Sequence, residues 1–207
     1  MSQFFAIHPV NPQARLIKRA AEIIRAGGII VYPTDSCYAL GCHIGDKAAM
    51  ERIRTIRGID TRHHLTLVCR DLSELATYAR VDNQQFRLLR AATPGSYVFI
   101  LEATRELPKR LQHPKRRTIG LRIPNHPVVN ALLAELGEPL LSSTLLLHGD
   151  EHPQTDAQEI RERLERQVDL ILDGGSCGIE PTTVVDLTGP TPALIRAGKG
   201  SFAPLGL

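Results

Sequence analysis

Apolar positions recur along the chain at two spacings, every three to four residues and in short unbroken runs, and these alternate from the N-terminus onward. Asn11-Pro12 offers a helix cap and a first-turn proline. Ala14, Ile17, Ala20, Ala21 and Ile24 follow at helical spacing, and Gly27-Gly28 stops them, which predicts a helix over 12–26. Ile29-Ile30-Val31-Tyr32, ended by Pro33, reads as a buried strand. The same reading predicts a helix capped by Asp46 and running to 56, a strand over 65–69, a helix over 83–91 and strands over 97–101 and 118–123. Pro127 opens a helix that Gly137 ends, and 140–143 reads as an interior strand. Thr155 and Gln158 stand at capping-box spacing before a helix over 156–166. Strands over 169–172, 183–187 and 193–196 follow, separated by Gly174-Gly175 and Gly189-Pro190. Helices intervene early and strands crowd together late, so the expected fold is α/β (α+β) with one twisted mixed sheet covered by helices. No repeat or linker divides the chain, and 1–207 is expected to form a single domain.

Composition narrows the class. The 207 residues are 43% hydrophobic and 23% charged, as in ordinary globular proteins. No run approaches the ~18 apolar residues of a membrane span, and the first residues carry no cationic leader or cleavage site, which predicts a cytoplasmic protein without membrane contact. Cysteines at 37, 42, 69 and 177 in a chain of this size predict free thiols rather than a disulfide scaffold.

Several chemical signals fail. There is no P-loop and no dinucleotide fingerprint. Gly198-Lys199-Gly200-Ser201 has the composition of an anion cradle, and equally of a plain glycine turn. Cys37 and Cys42 have no second cysteine pair, and Gly149 and Pro153 interrupt the helix that would align His148 with His152, so no tightly bound metal is expected. The stretch 148–152 and the pair His63-His64 read as surface loops.

The segment Tyr32-Pro33-Thr34-Asp35-Ser36-Cys37-Tyr38-Ala39-Leu40-Gly41 places hydroxyls and a carboxylate just beyond a strand end, where open sheets commonly bind ligands. It resembles the Tyr-Pro-Thr-Glu-Thr-x-Tyr-Gly-Leu-Gly signature of the YrdC/YciO family. Thr118-Ile119-Gly120-Leu121-Arg122-Ile123-Pro124-Asn125-His126-Pro127 agrees with that family in order and spacing. So do Asp173-Gly174-Gly175 with Pro181-Thr182-Thr183-Val184-Val185-Asp186-Leu187, and Leu194-Ile195-Arg196-Ala197-Gly198. The matches run from 30 to 198, and the chain as a whole resembles the YciO branch. The resemblance implies a positively charged concave surface, double-stranded RNA binding, and a reaction in which L-threonine, bicarbonate and ATP form threonylcarbamoyl-adenylate and pyrophosphate for modification of tRNA adenosine.

By the same resemblance, Arg57 and Arg122 would be the catalytic cations. Thr34, Arg122, Thr144 and Thr182 would contact threonine or its carbamate, and Arg57, Thr118, Thr155 and Arg196 the nucleotide. Mg²⁺ would arrive with ATP. Negative charge accumulates about the phosphates during such a transfer, so cations and positioning are what the protein must supply. Replacing Arg122 by Ala is expected to weaken ligand binding with little loss of fold.

Three positions depart from the synthase pattern. Arg57-Gly58-Ile59-Asp60 stands where synthases carry Lys-Gly-Arg-Pro, Thr144-Leu145-Leu146 where they carry Ser-x-Asn, and Pro94-Gly95-Ser96-Tyr97-Val98 where they carry Pro-Gly-Pro-x-Thr. A charged hydrogen bond contributes roughly 1.5–3 kcal/mol, so uncompensated losses predict a synthase activity that is weak, altered or absent. Arg54 and Arg62 are the candidates for compensation.

The formal charge is only +3, but its distribution is uneven. Arg105, Lys109, Arg110, Lys115, Arg116, Arg117 and Arg122 face Glu106 alone in one stretch, and Arg52, Arg54, Arg57 and Arg62 make a second cluster. Clustered cations are the footprint of a phosphate backbone. Lys109, Arg110, Lys115, Arg116 and Arg117 are therefore the expected RNA surface, reading shape rather than sequence because aromatic residues are scarce. Two functions follow: a nucleotide-using enzyme of the synthase type, or a non-catalytic binder of double-stranded RNA or tRNA. A domain that binds some small anion is the plainest alternative.

Overall fold

The computed structural model describes residues 1–60, 63, 65–113 and 115–206. Ten strands form one mixed sheet: β1 (Gln3–Ala6), β2 (Ile30–Tyr32), β3 (Ala39–His43), β4 (Thr66–Val68), β5 (Tyr97–Glu102), β6 (Thr118–Arg122), β7 (Leu140–Thr144), β8 (Leu170–Asp173), β9 (Thr183–Asp186) and β10 (Ala193–Arg196). Their order is β1-β8-β2-β3-β7-β4-β6-β5-β9-β10, with parallel pairs at β1–β8, β8–β2, β4–β6 and β5–β9. Among the described residues six α-helices accompany them: α1 (Ala14–Arg25), α2 (Lys47–Arg57), α3 (Leu72–Tyr78), α4 (Asn83–Ala92), α5 (Pro127–Leu136) and α6 (Ala157–Leu164). No described helix is long and apolar enough to cross a membrane.

Local chemistry explains most boundaries. The Asp46 carboxylate accepts from the Ala49 N–H at 2.9 Å and starts α2, and Gly58, at φ 62°, ends it in the left-handed conformation that suits glycine. Pro127 and Gly137 bound α5 as the sequence predicts. Two expected caps are corrected. Helix α1 starts at Ala14 with Gln13 as its N-cap and no side-chain cap bond, so Asn11-Pro12 stands before the helix rather than opening it. Helix α6 is capped by Asp156, whose carboxylate accepts from the Gln158 and Glu159 N–H groups at 2.8 and 3.0 Å, and it spans fewer residues than 156–166. Asp outranks Thr as a cap, and Thr155 stands one position too early. Strands β1 and β3 and helix α3 were not expected.

The sheet is covered unequally. On one face α2, α3, α4 and α6 pack on Leu40, Leu67, Phe99, Leu121 and Leu141, making a continuous core. On the other face α1 and α5 cover only the half built from β8, β2, β3 and β7, burying Ile30, Tyr32, Leu140, Leu170 and Leu172. The cleft lies over the remaining half of that face and reaches Ala39 on β3 and Ser142 and Thr144 on β7 at its border.

A cleft on the uncovered half of the sheet

Strand alternation decides what the uncovered half presents. Thr66 is the Cα partner of both Gly120 and Ser142, Ala39 is opposite Thr144, and Ile100 is opposite Gly120. These residues line a cleft of about 590 Å³, together with Arg57, His63, Val98, Arg122, Leu146, Glu151, Thr182, Val184, Ile195 and Arg196, among others. Val98 faces Val184, which in turn faces Arg196. A register shift between Leu194 and Arg196 breaks the alternation in β10, and both Ile195 and Arg196 line the cleft beside it.

Arg122, the last residue of β6, forms an ion pair with Asp35 in which the two side chains are 8% and 10% exposed. Asp35 also accepts from the Ser96 hydroxyl at 3.1 Å and the Asn125 N–H at 3.2 Å. The loop that carries Asp35 is held by Thr34, whose hydroxyl donates to the Cys37 carbonyl at 2.7 Å and accepts from the Ser36 N–H at 3.1 Å. Thr34 therefore stands behind the cleft wall, while Ser36 and Cys37 form it. The pairing corrects the expectation that Arg122 is dispensable to the fold, because its removal would strand a buried carboxylate.

Arg57 lines the other side. One of its terminal nitrogens donates to the Leu146 carbonyl, tying α2 to the rim loop, and its Nε has no hydrogen-bond partner among the described residues; the same holds for Arg122 Nε. Burial, reinforced by the charge of Arg196, lowers the Arg57 pKa to about 10, so it stays cationic at neutral pH. Arg196 donates from Nε and Nη2 to the Thr182 carbonyl at 3.1 and 2.9 Å and from Nη2 to the Thr182 hydroxyl at 3.1 Å. His63 also lines the cleft. Desolvation first, then Arg57 and Arg196, lower its pKa below 6.5 and favour the neutral imidazole.

The structure thus gathers Arg57, Arg122, Thr144, Thr182 and Arg196 around one cleft. Thr118 is buried on the same sheet face two residues before Gly120, outside the wall, with a hydroxyl that lacks a described partner. Thr155 does not line the cleft; its carbonyl accepts from the Cys177 N–H at 3.2 Å. Arg54 pairs with Glu51 at 2.7 Å and does not line the cleft; Arg62 and His64, the other residues singled out nearby, fall outside the described residues. Ile59 packs on the core.

The glycine-rich turn is not an open cradle: Gly198 N–H donates to the Thr183 hydroxyl and Lys199 N–H to the Pro181 carbonyl. Among the described residues no group of three or more His, Cys, Asp or Glu could hold a metal, and in the His148–His152 stretch Asp150 is taken up by a two-pronged ion pair with Arg163 at 2.8 and 3.0 Å.

Lys109, Arg110, Lys115, Arg116 and Arg117 are all exposed on the connection from β5 to β6. Arg116 approaches Asp186 at 3.8 Å, and Arg110 donates to the Gly45 carbonyl. Sequence reasoning did not single out Asp35 as the partner of Arg122, nor His63, Ser142, Glu151 and Ile195 as cleft residues. For Ser142 a signal existed, since it shares the strand period with Thr144.

Comparison with known proteins shows the family and the fold. The Sua5_yciO_yrdC family model, described as "Telomere recombination", matches residues 22–198. The chain is 59% identical over 204 residues to the uncharacterised protein YciO of Escherichia coli K12, covering 99% of both chains. The crystal structure of E. coli YciO superposes with a TM-score of 0.96 at 58% identity, over 99% of this chain and 100% of that one. A threonylcarbamoyl-AMP synthase of Nitrosococcus oceani is 33% identical over 159 residues, 76% of this chain and 85% of its own. The crystal structure of P. abyssi Sua5 complexed with L-threonine shares the fold, with a TM-score of 0.87 at 24% identity, over 95% of this chain and 58% of that one.

Proposed function

Because the chain belongs to the Sua5_yciO_yrdC family, we propose that its cleft binds a nucleotide beside a small carboxylate of the L-threonine type, and that its basic loop binds RNA. The observation that carries this reading is the convergence of Arg57, Arg122 and Arg196 with the hydroxyls of Thr144 and Thr182 on one open sheet face. In the synthase reaction threonine's amine first condenses with bicarbonate, with loss of water, to give a carbamate. The carbamate oxygen then attacks the α-phosphorus of ATP and expels pyrophosphate. Arg57 and Arg196 are the cations placed to hold phosphate oxygens, with Arg122, steadied by Asp35, and Thr182 at the carboxylate end. Mg²⁺ would enter with ATP, bound through its phosphates rather than by a carboxylate cage of the protein.

The reaction is attenuated in this reading, since Val98 and Leu146 line the cleft where synthases of the family carry hydrogen-bonding side chains. Those two residues, with the exposed Lys109, Arg110, Lys115, Arg116 and Arg117 on the β5–β6 connection, favour a second reading: a non-catalytic binder of double-stranded RNA or tRNA. The free thiols suit a cytoplasmic setting.

Incubation with ATP, Mg²⁺, L-threonine and bicarbonate, followed by pyrophosphate release, separates the two. Slow threonine-dependent release that is further reduced in Arg196→Ala supports the synthase reading. No release with salt-sensitive RNA binding supports the second, and absence of both refutes the proposal.

A further inference from the structure

The edge of the sheet remote from the cleft is open. Strand β1 ends the strand order and pairs with β8 on one side only. The Gln3 and Ile7 N–H groups donate to the Asp169 and Asp173 carbonyls at 2.9 and 2.8 Å. The strand period therefore turns the N–H and C=O groups of Phe4 and Ala6 the other way, where no described strand meets them.

Between this edge and α1 lies a groove of about 510 Å³ that shares no lining residue with the cleft. Phe5 and Leu16, both partly buried, are its apolar lining. Arg15, Lys18, Arg19 and Glu22 line it from α1, at the i, i+3, i+4, i+7 spacing of one helix stripe. Glu22 is taken by Arg19 at 3.1 Å, while Arg15 and Lys18 are exposed and have no carboxylate partner among the described residues. Arg15 and Arg19 are about 6 Å apart along the helix axis, close to the roughly 6.7 Å between alternate side chains of a strand.

An unpaired strand edge supplies backbone hydrogen bonds to an extended chain, and the side chains beside it choose which chain. A second copy is the wrong occupant. Antiparallel pairing of two β1 edges about a two-fold axis keeps both α1 helices on one face and sets their cation stripes against each other. A strand that carries carboxylates at alternate positions meets the opposite sign.

We propose that β1 and α1 together form a docking site for an extended acidic segment of another protein, which adds one more strand to the sheet at Phe4 and Ala6 and lays its carboxylates against Arg15, Lys18 and Arg19.

The test titrates the ¹⁵N-labelled full chain with the end-blocked hexapeptide Val-Glu-Val-Glu-Val-Glu and with its analogue Val-Lys-Val-Lys-Val-Lys, following amide shifts and exchange by NMR. The expected result is saturable binding of the acidic peptide alone, with slowed exchange of the Phe4 and Ala6 amides. Ala6→Pro removes an outward N–H and leaves the Gln3 and Ile7 bonds in place, a substitution an edge strand tolerates. It should weaken binding roughly two- to tenfold, the worth of one backbone hydrogen bond. Arg15→Glu with Lys18→Glu should weaken it at least about fivefold. No saturable binding of the acidic peptide would overturn the proposal. Binding that is unchanged in Ala6→Pro, or that leaves the two amides exchanging freely, is charge attraction without strand addition and would overturn it as well. So would protection of these amides that rises with protein concentration alone, which makes a second copy the occupant, or a larger response of the same amides to duplex RNA, which assigns the stripe to a phosphate backbone.

Discussion

Asp35→Asn tests the buried pair on which the cleft wall depends. The substitution removes the carboxylate charge while keeping the side chain's size and one acceptor for Ser96 or the Asn125 N–H. It leaves the Arg122 guanidinium buried without its counter-charge. Breaking a buried pair from one side costs about 3–5 kcal/mol, and the retained hydrogen bonds place this substitution at the lower end, about 3 kcal/mol. For a chain of this length 1 kcal/mol moves the melting temperature by roughly 2–4 °C, so a fall of about 6–12 °C is expected. Urea denaturation followed by circular dichroism measures the loss, and an unchanged m-value would place it in the native state. Arg122→Met alone should also destabilise, because it strands Asp35. The double variant should lose less than the sum of the two single losses, since no unpaired charge remains. A single-variant loss under about 1 kcal/mol, or strictly additive losses, would show that the pair does not hold the cleft wall.

Three further outcomes are expected. Replacing Lys115, Arg116 and Arg117 together by Ala should weaken RNA binding and reduce the slope of log affinity against log salt by about 0.9 for each duplex phosphate no longer neutralised; an unaltered slope moves the RNA surface elsewhere. Gly58→Ala places a Cβ at φ 62°, 3.0 Å from the His148 Cβ, and should cost about 1–2 kcal/mol in urea melts; a neutral result would mean that the rim yields freely there. His63 and His126 both have pKa values lowered below 6.5, chiefly by desolvation. Folding therefore favours their neutral forms, and the unfolded chain binds more protons as the pH falls. This contribution is complete above pH 6.5 and is lost as the pH drops through 6.5 toward the lowered values. His63→Gln should flatten the stability profile in that interval, and an unchanged profile would contradict the desolvation of its imidazole.

Much of the fold was legible because its determinants are local. The Ala14–Ile24 stripe, the Asp46 cap, and the Pro127 and Gly137 boundaries act within a few residues, and each element lies where they put it. Strands β1 and β3 escaped notice for the converse reason. Gln3–Ala6 is four residues long at the sheet edge, and Ala39–His43 contains a glycine and a histidine; each is a strand only because a neighbour pairs with it. Thr155 was assigned to the nucleotide by the family resemblance, whereas it does not line the cleft and its carbonyl is taken by the Cys177 N–H.

The sequence by itself determined the alternation of helix and strand, the family signature in Tyr32–Gly41 and Thr118–Pro127, and the clustering of cations between 105 and 122. These are properties of residue type and spacing. Tertiary structure alone decided that Asp35 meets Arg122 across 87 residues of chain, and that Val98 and Val184 line an open cleft rather than a core. An apolar strand residue looks the same in sequence whichever side it faces. Its role is set by whether a helix covers that side, and here α1 and α5 stop halfway across the sheet.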